Sequence, residues 1–480
     1  MTAPRPSLLM LAVCLAFSPA ALPANDLPSL GDASSAIIAP EQEYQLGRAW
    51  LSMLRRQVPQ LSDPLLKDFV ERHVYRLAET SQLQDRRLEF VILDSPQLNA
   101  FAVPGGIIGV NGGLFLHAQT EAEFASVLAH ELAHLSQRHF ARGLEAQQRM
   151  QLPLMAAMLA GVIAAAAGAG DAAIAAIASG QAAAIQSQRS FSRQNEQEAD
   201  RIGLANLRSA GYDPRGMPNM FERLVRQYRF DAKPPEFLLT HPLSESRIAD
   251  SRNRAEQTPP GGKVDSLEYQ LMRARTQLQF ESTPGLATKR FRAQLEDNPK
   301  NDAARYGLVL SLRRAGQLEE AAQTLRPLLD RQPDDIVYNL ARIELDMDAH
   351  RYDQARQRLE RLLKLHPGSF PLQQMQVELL LAQSRPAEAE AVLDRLVRER
   401  PKDPDIWYQV AEVRGLSGNI IGVHQARAEF FALVGDYGQA LNQLDYAKRR
   451  IIGNYPLTAR IEARQQELRN EQRLLEEMLN

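Results

Sequence analysis

The chain has 480 residues, which is long enough for two or three domains. Its 56 lysine and arginine residues nearly balance its 58 aspartate and glutamate residues, so the formal net charge is −2 and the charge predicts no nucleic-acid partner. The single cysteine, Cys14, lies close to the N-terminus, which excludes a fold held together by disulfide bonds within the chain.

Residues 1–24 are typical of a cleaved signal peptide. A positive charge precedes a short apolar stretch at residues 8–17, and cleavage is predicted after Ala20 or Ala24. The stretch is too short to span a bilayer as a helix. The alternatives are a retained N-terminal anchor and lipidation at Cys14. Cleavage at either alanine leaves a mature chain without cysteine that has entered an oxidising compartment.

Residues 40–255 form the first predicted domain. Helical periodicity is followed by two short apolar segments of the strand type and then by further helices. The predicted helices cover residues 41–58, 64–79 and 187–210, with another around residue 130, and the predicted strands cover residues 88–93 and 107–110. A cluster of glycine and proline at residues 255–263 (AEQTPPGGK) marks the end of this domain.

The motif HELAH at residues 130–134 carries the clearest chemical signal. Residues four apart lie on one face of a helix, so His130 and His134 can bind one metal ion while Glu131 lies beside it. This is the H-E-x-x-H pattern of zinc peptidases, in which the glutamate is the general base for water at the metal. Thr120 and Glu123 have the spacing of a capping box at the start of this helix. We therefore predict one zinc ion per chain.

A catalytic zinc site usually has three protein ligands, so a third is expected further along the chain. Glu196, on a predicted helix, is the best candidate, and Asp200 lies one turn later on the same face, where it can orient a ligand histidine. Glu198 points away from that face and is the rival ligand. His139 lies five residues after His134 and points elsewhere, so we interpret it as a surface residue or as one that contacts a ligand.

The chain after residue 265 repeats with a period of 34 residues. Prolines, alanines and large apolar residues each recur four times at this interval, namely Pro299, Pro333, Pro367 and Pro401, then Ala287, Ala321, Ala355 and Ala389, then Phe291, Leu325, Leu359 and Leu393. This is the tetratricopeptide pattern, in which alanine lets two helices approach and proline ends the second helix. We predict an α-solenoid of four to five repeats over residues 265–480, irregular after Trp407, with a concave surface suited to protein or peptide ligands.

In combination, these motifs resemble those of the HtpX-like zinc metallopeptidases. The resemblance is carried by HELAH, by NEQEADRIG at residues 195–203, and by Thr240-His241-Pro242 with Arg247. It implies a zincin-like metallopeptidase domain that is mostly α with a small β element, and it supports Glu196 as the third zinc ligand with Asp200 behind the ligands. It also implies that His241 and Arg247 lie at the active site, where Arg247 would steady the developing oxyanion and His241 can approach the metal.

A signal peptide, this peptidase domain and tetratricopeptide repeats, in this order, resemble the periplasmic members of that family. The resemblance implies a Gram-negative periplasmic protein, in peripheral contact with the outer membrane, that acts in outer-membrane biogenesis by degrading stalled β-barrel proteins and by assisting their maturation in a chaperone-like way. Its clients would be stalled or unfolded β-barrel proteins, and its repeats would bind the barrel-assembly machinery. The chain departs from the family in the alanine-rich residues 152–184, which we interpret either as a packed helical hairpin or as a mobile lid or membrane-contacting element.

The sequence favours a regulated zinc endopeptidase, because a structural zinc site needs no glutamate at Glu131. The alternative is a chaperone or assembly factor whose zinc site is closed. A closed site follows if His241 occupies the open metal position as a latch; otherwise His241 positions substrate or packs before the proline. Extended clients would pair with an edge strand, for which residues 99–103 and 107–110 are the candidates.

Overall fold

The computed structural model describes residues 38–146, 193–228 and 234–479. The predicted signal peptide and the alanine-rich residues 152–184 lie outside these ranges. The described chain is mostly helical with one small sheet, which confirms the predicted fold class. Within the same ranges, no helix combines the length and the apolar character needed to cross a membrane.

The N-terminal part combines a three-stranded sheet with nine described helices. These are α1 (Pro40–Gln57), α2 (Pro64–Thr80), α3 (Gly113–His117), α4 (Glu121–Ser136), α5 (His139–Ala146), α6 (Arg193–Ser209), α7 (Gly216–Tyr228), α8 (Glu236–Thr240) and α9 (Glu245–Glu256), with strands β1 (Glu89–Leu93), β2 (Ala100–Val103) and β3 (Ile107–Asn111). The strand order is β1-β3-β2, with β1 parallel and β2 antiparallel to β3. Since β3 is the central strand, the expectation that residues 107–110 form a substrate-binding edge is wrong, and β2 is the remaining candidate.

Helix α4, which carries HELAH, begins with the predicted cap in a modified form. The Thr120 hydroxyl accepts a hydrogen bond from the Glu123 N–H at 3.3 Å. The Glu123 carboxylate accepts instead from the Gln119 N–H at 2.6 Å, one residue earlier than a capping box requires. Fully buried Glu121 then contacts His73 Nε2 at 2.9 Å and Lys263 Nζ at 2.8 Å. The start of α4 is thereby tied to α2 and to the segment that follows α9.

A sharp break separates α4 from α5. Arg138 has a φ of +48°, a left-handed conformation that non-glycine residues rarely adopt. Its guanidinium donates to the Ile38 carbonyl at 2.9 Å and to Glu43 Oε2 at 3.3 Å, which holds the turn in place. Because the chain changes direction here, His139 begins a new helix and turns back toward α4.

The C-terminal part is a run of consecutive helices. These are α10 (Leu267–Gln279), α11 (Pro284–Asp297), α12 (Asp302–Arg314), α13 (Leu318–Arg331), α14 (Ile336–Asp348), α15 (Tyr352–Leu365), α16 (Phe370–Ala382), α17 (Pro386–Glu399), α18 (Pro404–Leu416), α19 (Ile420–Leu433), α20 (Tyr437–Arg449) and α21 (Tyr455–Leu479). All four repeated alanines are fully buried, and the large apolar residue four positions after each is at most 2% exposed. The predicted helix-pair packing is therefore confirmed.

One hydrophobic core joins the repeats to the peptidase part. It includes Leu66 and Phe69 of α2 together with Leu308, Leu340 and Leu372 of α12, α14 and α16. Helix α2 also contacts α16 directly. The inner face of the repeats, which the sequence suggested would be open to ligands, is therefore partly occupied by α2 of the same chain.

The turns that precede α18 and α20 also contact the peptidase part. At the first turn, Lys67 of α2 forms ion pairs with Asp403 at 3.2 Å and Asp405 at 2.7 Å. At the second, Asp436 lies 3.6 Å from the Arg56 guanidinium, and Gly435 leaves room for Ser52. We call the edge of the solenoid that holds these two turns the docked edge.

Candidate metal centre

Four buried side chains from three helices converge on one point. His130 and His134 extend from α4, Glu196 from α6 and His241 from the end of α8, and none is more than 4% exposed. One nitrogen or oxygen from each lies within 4.8 Å of the others. The structure thus brings together all four residues that we predicted to bind the metal, although they span 112 positions of the chain.

The spacing of these atoms fits a zinc ion. Nε2 of His130 lies 3.1 Å from Nε2 of His134 and 3.3 Å from Nδ1 of His241. The Glu196 carboxylate lies 3.5 Å from each histidine of the motif. Ligands about 2.0–2.1 Å from a tetrahedral zinc ion lie roughly 3.3 Å from one another. Imidazole nitrogens and a carboxylate are also the donors that zinc prefers.

The ring nitrogen of His130 that faces away from this point lies against Asp200. Its Nδ1 lies 3.0 Å from Asp200 Oδ1. Arg247 in turn binds Asp200 in a bidentate manner, with both nitrogen–oxygen distances at 2.7 Å. Asp200 therefore lies behind His130, at the position from which a carboxylate can orient a metal-ligating ring.

Arg247 is differently placed from the expectation. Besides binding Asp200, its Nη1 lies 2.9 Å from Glu196 Oε2 and donates to the Pro242 carbonyl at 2.8 Å. The side chain is only 4% exposed. These contacts direct the guanidinium toward Glu196 and Asp200, behind the centre. They favour a role for Arg247 in positioning these two carboxylates, rather than the predicted contact with a substrate oxyanion.

A second chain of contacts orients His134. Its Nδ1 lies 2.9 Å from Nδ1 of His139, and Nε2 of His139 lies 3.2 Å from Glu198 Oε2. Arg142 donates to the same Glu198 oxygen at 2.9 Å. His139 is 1% exposed, so its interpretation as a surface residue is wrong and its contact with a ligand is confirmed. Glu198 is outside the convergent group, so the rival ligand assignment is also wrong.

Glu131 lies between the centre and strand β2. Its buried carboxylate accepts a hydrogen bond from the backbone N–H of Ala102. The oxygen Oε1 lies 3.4 Å from His241 Nε2, without the alignment of a hydrogen bond. The glutamate of the motif is thus adjacent both to the ligands and to the edge strand of the sheet.

Burial and neighbouring charges divide the carboxylates of the centre into two groups. Burial raises the pKa of Glu131, so this group holds a proton more readily than an exposed glutamate. Burial acts in the same direction on Glu196 and Asp200, but His241 and His130 hold the pKa of Glu196 well below its ordinary value, and Arg247 lowers the pKa of Asp200. Ionised Glu196 suits a ligand, and a glutamate with a raised pKa suits a general base.

Both halves of the chain match models of known protein families. The model of "Peptidase family M48" matches residues 64–255, and that of "Tetratricopeptide repeat" matches residues 282–343 and 346–412. The chain is 34% identical to a protein of Escherichia coli (strain K12) over 93% of its length and 92% of that protein, and equally identical to one of Yersinia pestis over 93% of both. Both are named "Beta-barrel assembly-enhancing protease". "Mitochondrial metalloendopeptidase OMA1" of Arabidopsis thaliana is 34% identical over 35% of this chain and 32% of that protein.

Proposed function

From the premise that this chain belongs to peptidase family M48, among the beta-barrel assembly-enhancing proteases, we propose that its substrates are unfolded or stalled outer-membrane β-barrel proteins in the Gram-negative periplasm. The family consists of zinc metalloendopeptidases, so the reaction is peptide-bond hydrolysis. The observation that carries the assignment to this chain is the buried convergence of His130, His134, Glu196 and His241, with Glu131 beside them.

Glu131 is the general base in this proposal. When bound, zinc supplies a Lewis acid at the centre. As water attacks the scissile carbonyl, the Glu131 carboxylate takes its proton and then delivers it to the leaving amine. The raised pKa of Glu131 suits a group that must hold a proton between these two steps. Asp200 and Arg247 contribute by keeping His130 and Glu196 in place.

The substrate lies along β2 in this proposal. This strand is an edge of the sheet, and its Ala102 N–H already reaches Glu131. An extended client segment that pairs with β2 would receive affinity from backbone hydrogen bonds, which require no particular side chains. Immature barrel proteins have unpaired strands, so they suit this mode of binding.

His241 acts as a latch on the resting centre. Its Nδ1 faces His130 and Glu196, whereas its Nε2 faces Glu131. In this arrangement the ring would supply a fourth ligand to the metal, while its other nitrogen lies beside the proposed general base. If His241→Ala leaves both the zinc affinity and the basal rate of proteolysis unchanged, the latch is refuted.

The decisive experiment compares the wild type with Glu131→Gln on an unfolded protein substrate, after zinc has been measured in both. Glu256→Gln, at an exposed glutamate outside the centre, is the matched control. We expect cleavage by the wild type and the control, and loss of cleavage with zinc retained in Glu131→Gln. Cleavage by Glu131→Gln would remove this residue from the role of base.

A chaperone-like activity is the second candidate function. It is supported by the proposed latch at His241 and by the repeats, which suit protein partners such as the barrel-assembly machinery. Partners would bind surfaces of the repeats that α2 leaves free. If the wild type and Glu131→Gln both bind zinc and neither cleaves the substrate, this function is favoured over proteolysis.

A further inference from the structure

The two edges of the solenoid have different surroundings. Consecutive helices joined by short turns run in opposite directions, so successive turns lie alternately at the two edges. The turns at residues 400–403 and 434–436 belong to the docked edge, which faces the peptidase part. The turns at residues 417–419 and 450–454 therefore lie together at the opposite edge, which we call the outer edge.

The outer edge is apolar at these two turns. Leu416 and Ile420 flank the first turn and are 69% and 43% exposed, while Ile452 and Tyr455 of the second are 95% and 84% exposed. At the positions equivalent to Leu416 and Ile420, earlier repeats have Arg314 and Leu318, Asp348 and Tyr352, and Ala382 and Pro386, and none of these is an exposed large apolar residue. The exposed apolar side chains are thus a property of the last two units.

Positive charge accompanies the apolar tip at residues 450–454. Arg449 and Arg450 lie three and two residues before Ile452, both are exposed, and neither has an ion-pair partner in the part of the chain that the structure describes. Residues 446–462 contain four basic and one acidic side chain, a local charge of +3, whereas the whole chain carries −2. The tip is therefore locally cationic on a nearly neutral protein.

We propose that the outer edge docks on a membrane surface that contains anionic phospholipids. The four apolar side chains are exposed at the same edge of the solenoid, so they are available for insertion between lipid headgroups. Tyrosine is favoured at the boundary between water and lipid, and arginines next to it attract lipid phosphates. This inference goes beyond the proposed protease function, because lipid binding requires no hydrolysis.

The test measures sedimentation of the purified protein with sucrose-loaded vesicles of phosphatidylcholine, with and without phosphatidylglycerol. We expect preferential binding to the anionic vesicles. Arg449→Ser with Arg450→Ser should weaken this binding by about 25-fold, since each basic residue near such a surface contributes about fivefold. Ile452→Ser with Tyr455→Ser should weaken it by about tenfold or more, since both side chains would leave the lipid.

Two matched controls keep the test specific. Leu365→Ser removes an exposed leucine beside a turn of the docked edge, and Arg395→Ser with Arg398→Ser removes two exposed arginines of α17. Both should bind vesicles within about twofold of the wild type. Unchanged thermal unfolding and unchanged proteolysis in every variant would show that the fold and the proposed function are intact.

Vesicle binding that ignores the anionic lipid, or that survives loss of Ile452 and Tyr455, would overturn the proposal. A second result would also overturn it. If the wild type binds no vesicle but captures detergent-solubilised outer-membrane proteins, and the Ile452 and Tyr455 variant loses that capture, the outer edge is a protein-binding surface.

Discussion

Replacing His139 by alanine should weaken zinc binding without removing a ligand. The His139 ring lies 2.9 Å from His134 Nδ1 and is 1% exposed, so the substitution removes a buried contact behind a predicted ligand. Loss of a group that orients a metal-ligating histidine typically weakens metal affinity by about 10- to 100-fold. We expect a loss of zinc affinity in this range, which corresponds to roughly 1.4–2.7 kcal/mol.

The assay is competition for zinc against a chelator of known affinity, followed by the rate of zinc release. Glu198→Gln should have a smaller effect, because its amide oxygen can still accept from His139 Nε2 at the position of the carboxylate. His117→Ala, at a histidine outside the centre, is the matched control. Zinc affinity in His139→Ala within twofold of the wild type would refute a positioning role for this residue.

Three further substitutions test the supports of helix α4 and of the docked edge. Gly203→Ala would place a methyl group 3.1 Å from the His130 backbone. We therefore expect a loss of about 1–3 kcal/mol in unfolding free energy and weaker zinc binding. Unchanged stability and zinc affinity would show that α4 can move aside. Burial alone would raise the pKa of Glu121, but hydrogen bonds from its neighbours outweigh it and lower the pKa to about 2 from 4.5. The resulting stabilisation, roughly 3 kcal/mol, is present above pH 4.5 and is lost as the pH falls toward 2. The difference in unfolding free energy between the wild type and Glu121→Gln, measured with urea, should therefore shrink over that window. A difference that stays constant with pH would contradict this origin. Lys67→Met removes the cation that pairs with Asp403 and Asp405 at the docked edge, so the turn before α18 should become more sensitive to added protease, at a cost of about 2 kcal/mol. Unchanged sensitivity would mean that packing of the repeat helices alone holds this turn.

The metal ligands on regular helices were predictable from spacing. Residues four apart share a face, so His130 and His134 could be placed together, and so could Glu196 and Asp200. His241 was accessible only through family resemblance, because it follows a helix of five residues whose position no periodicity reveals.

The role of His139 was not predictable because it depends on one backbone angle. The break at Arg138 has no glycine or proline to mark it, and the left-handed conformation is held by contacts with Ile38 and Glu43, about 100 residues earlier. The orientation of Arg247 was missed for a similar reason: a guanidinium can face either the open side of a metal centre or the carboxylates behind it, and the local sequence does not distinguish them.

The repeat pattern predicted the contacts between neighbouring helices and nothing about what lies against their inner face. Buried Ala321 and Leu325 report the packing of one helix pair. The residues that meet α2, such as Leu340 and Leu372, also occupy positions that are apolar in an isolated solenoid. Occupation of that face by α2 therefore left no separate mark in the sequence.

The core shared by α2 and the first repeats changes how the chain can come apart. An ordinary solenoid unravels from either end, because each repeat depends only on its neighbours. Here, Leu66 and Phe69 of α2 anchor the first three helix pairs to the hydrophobic core on which α4 also packs. The units after α16 have hydrophobic clusters of their own. Unravelling can therefore begin only at the C-terminal end. Helix α4 and the core leucines of the first repeats, which lie some 200 residues later in the chain, unfold together.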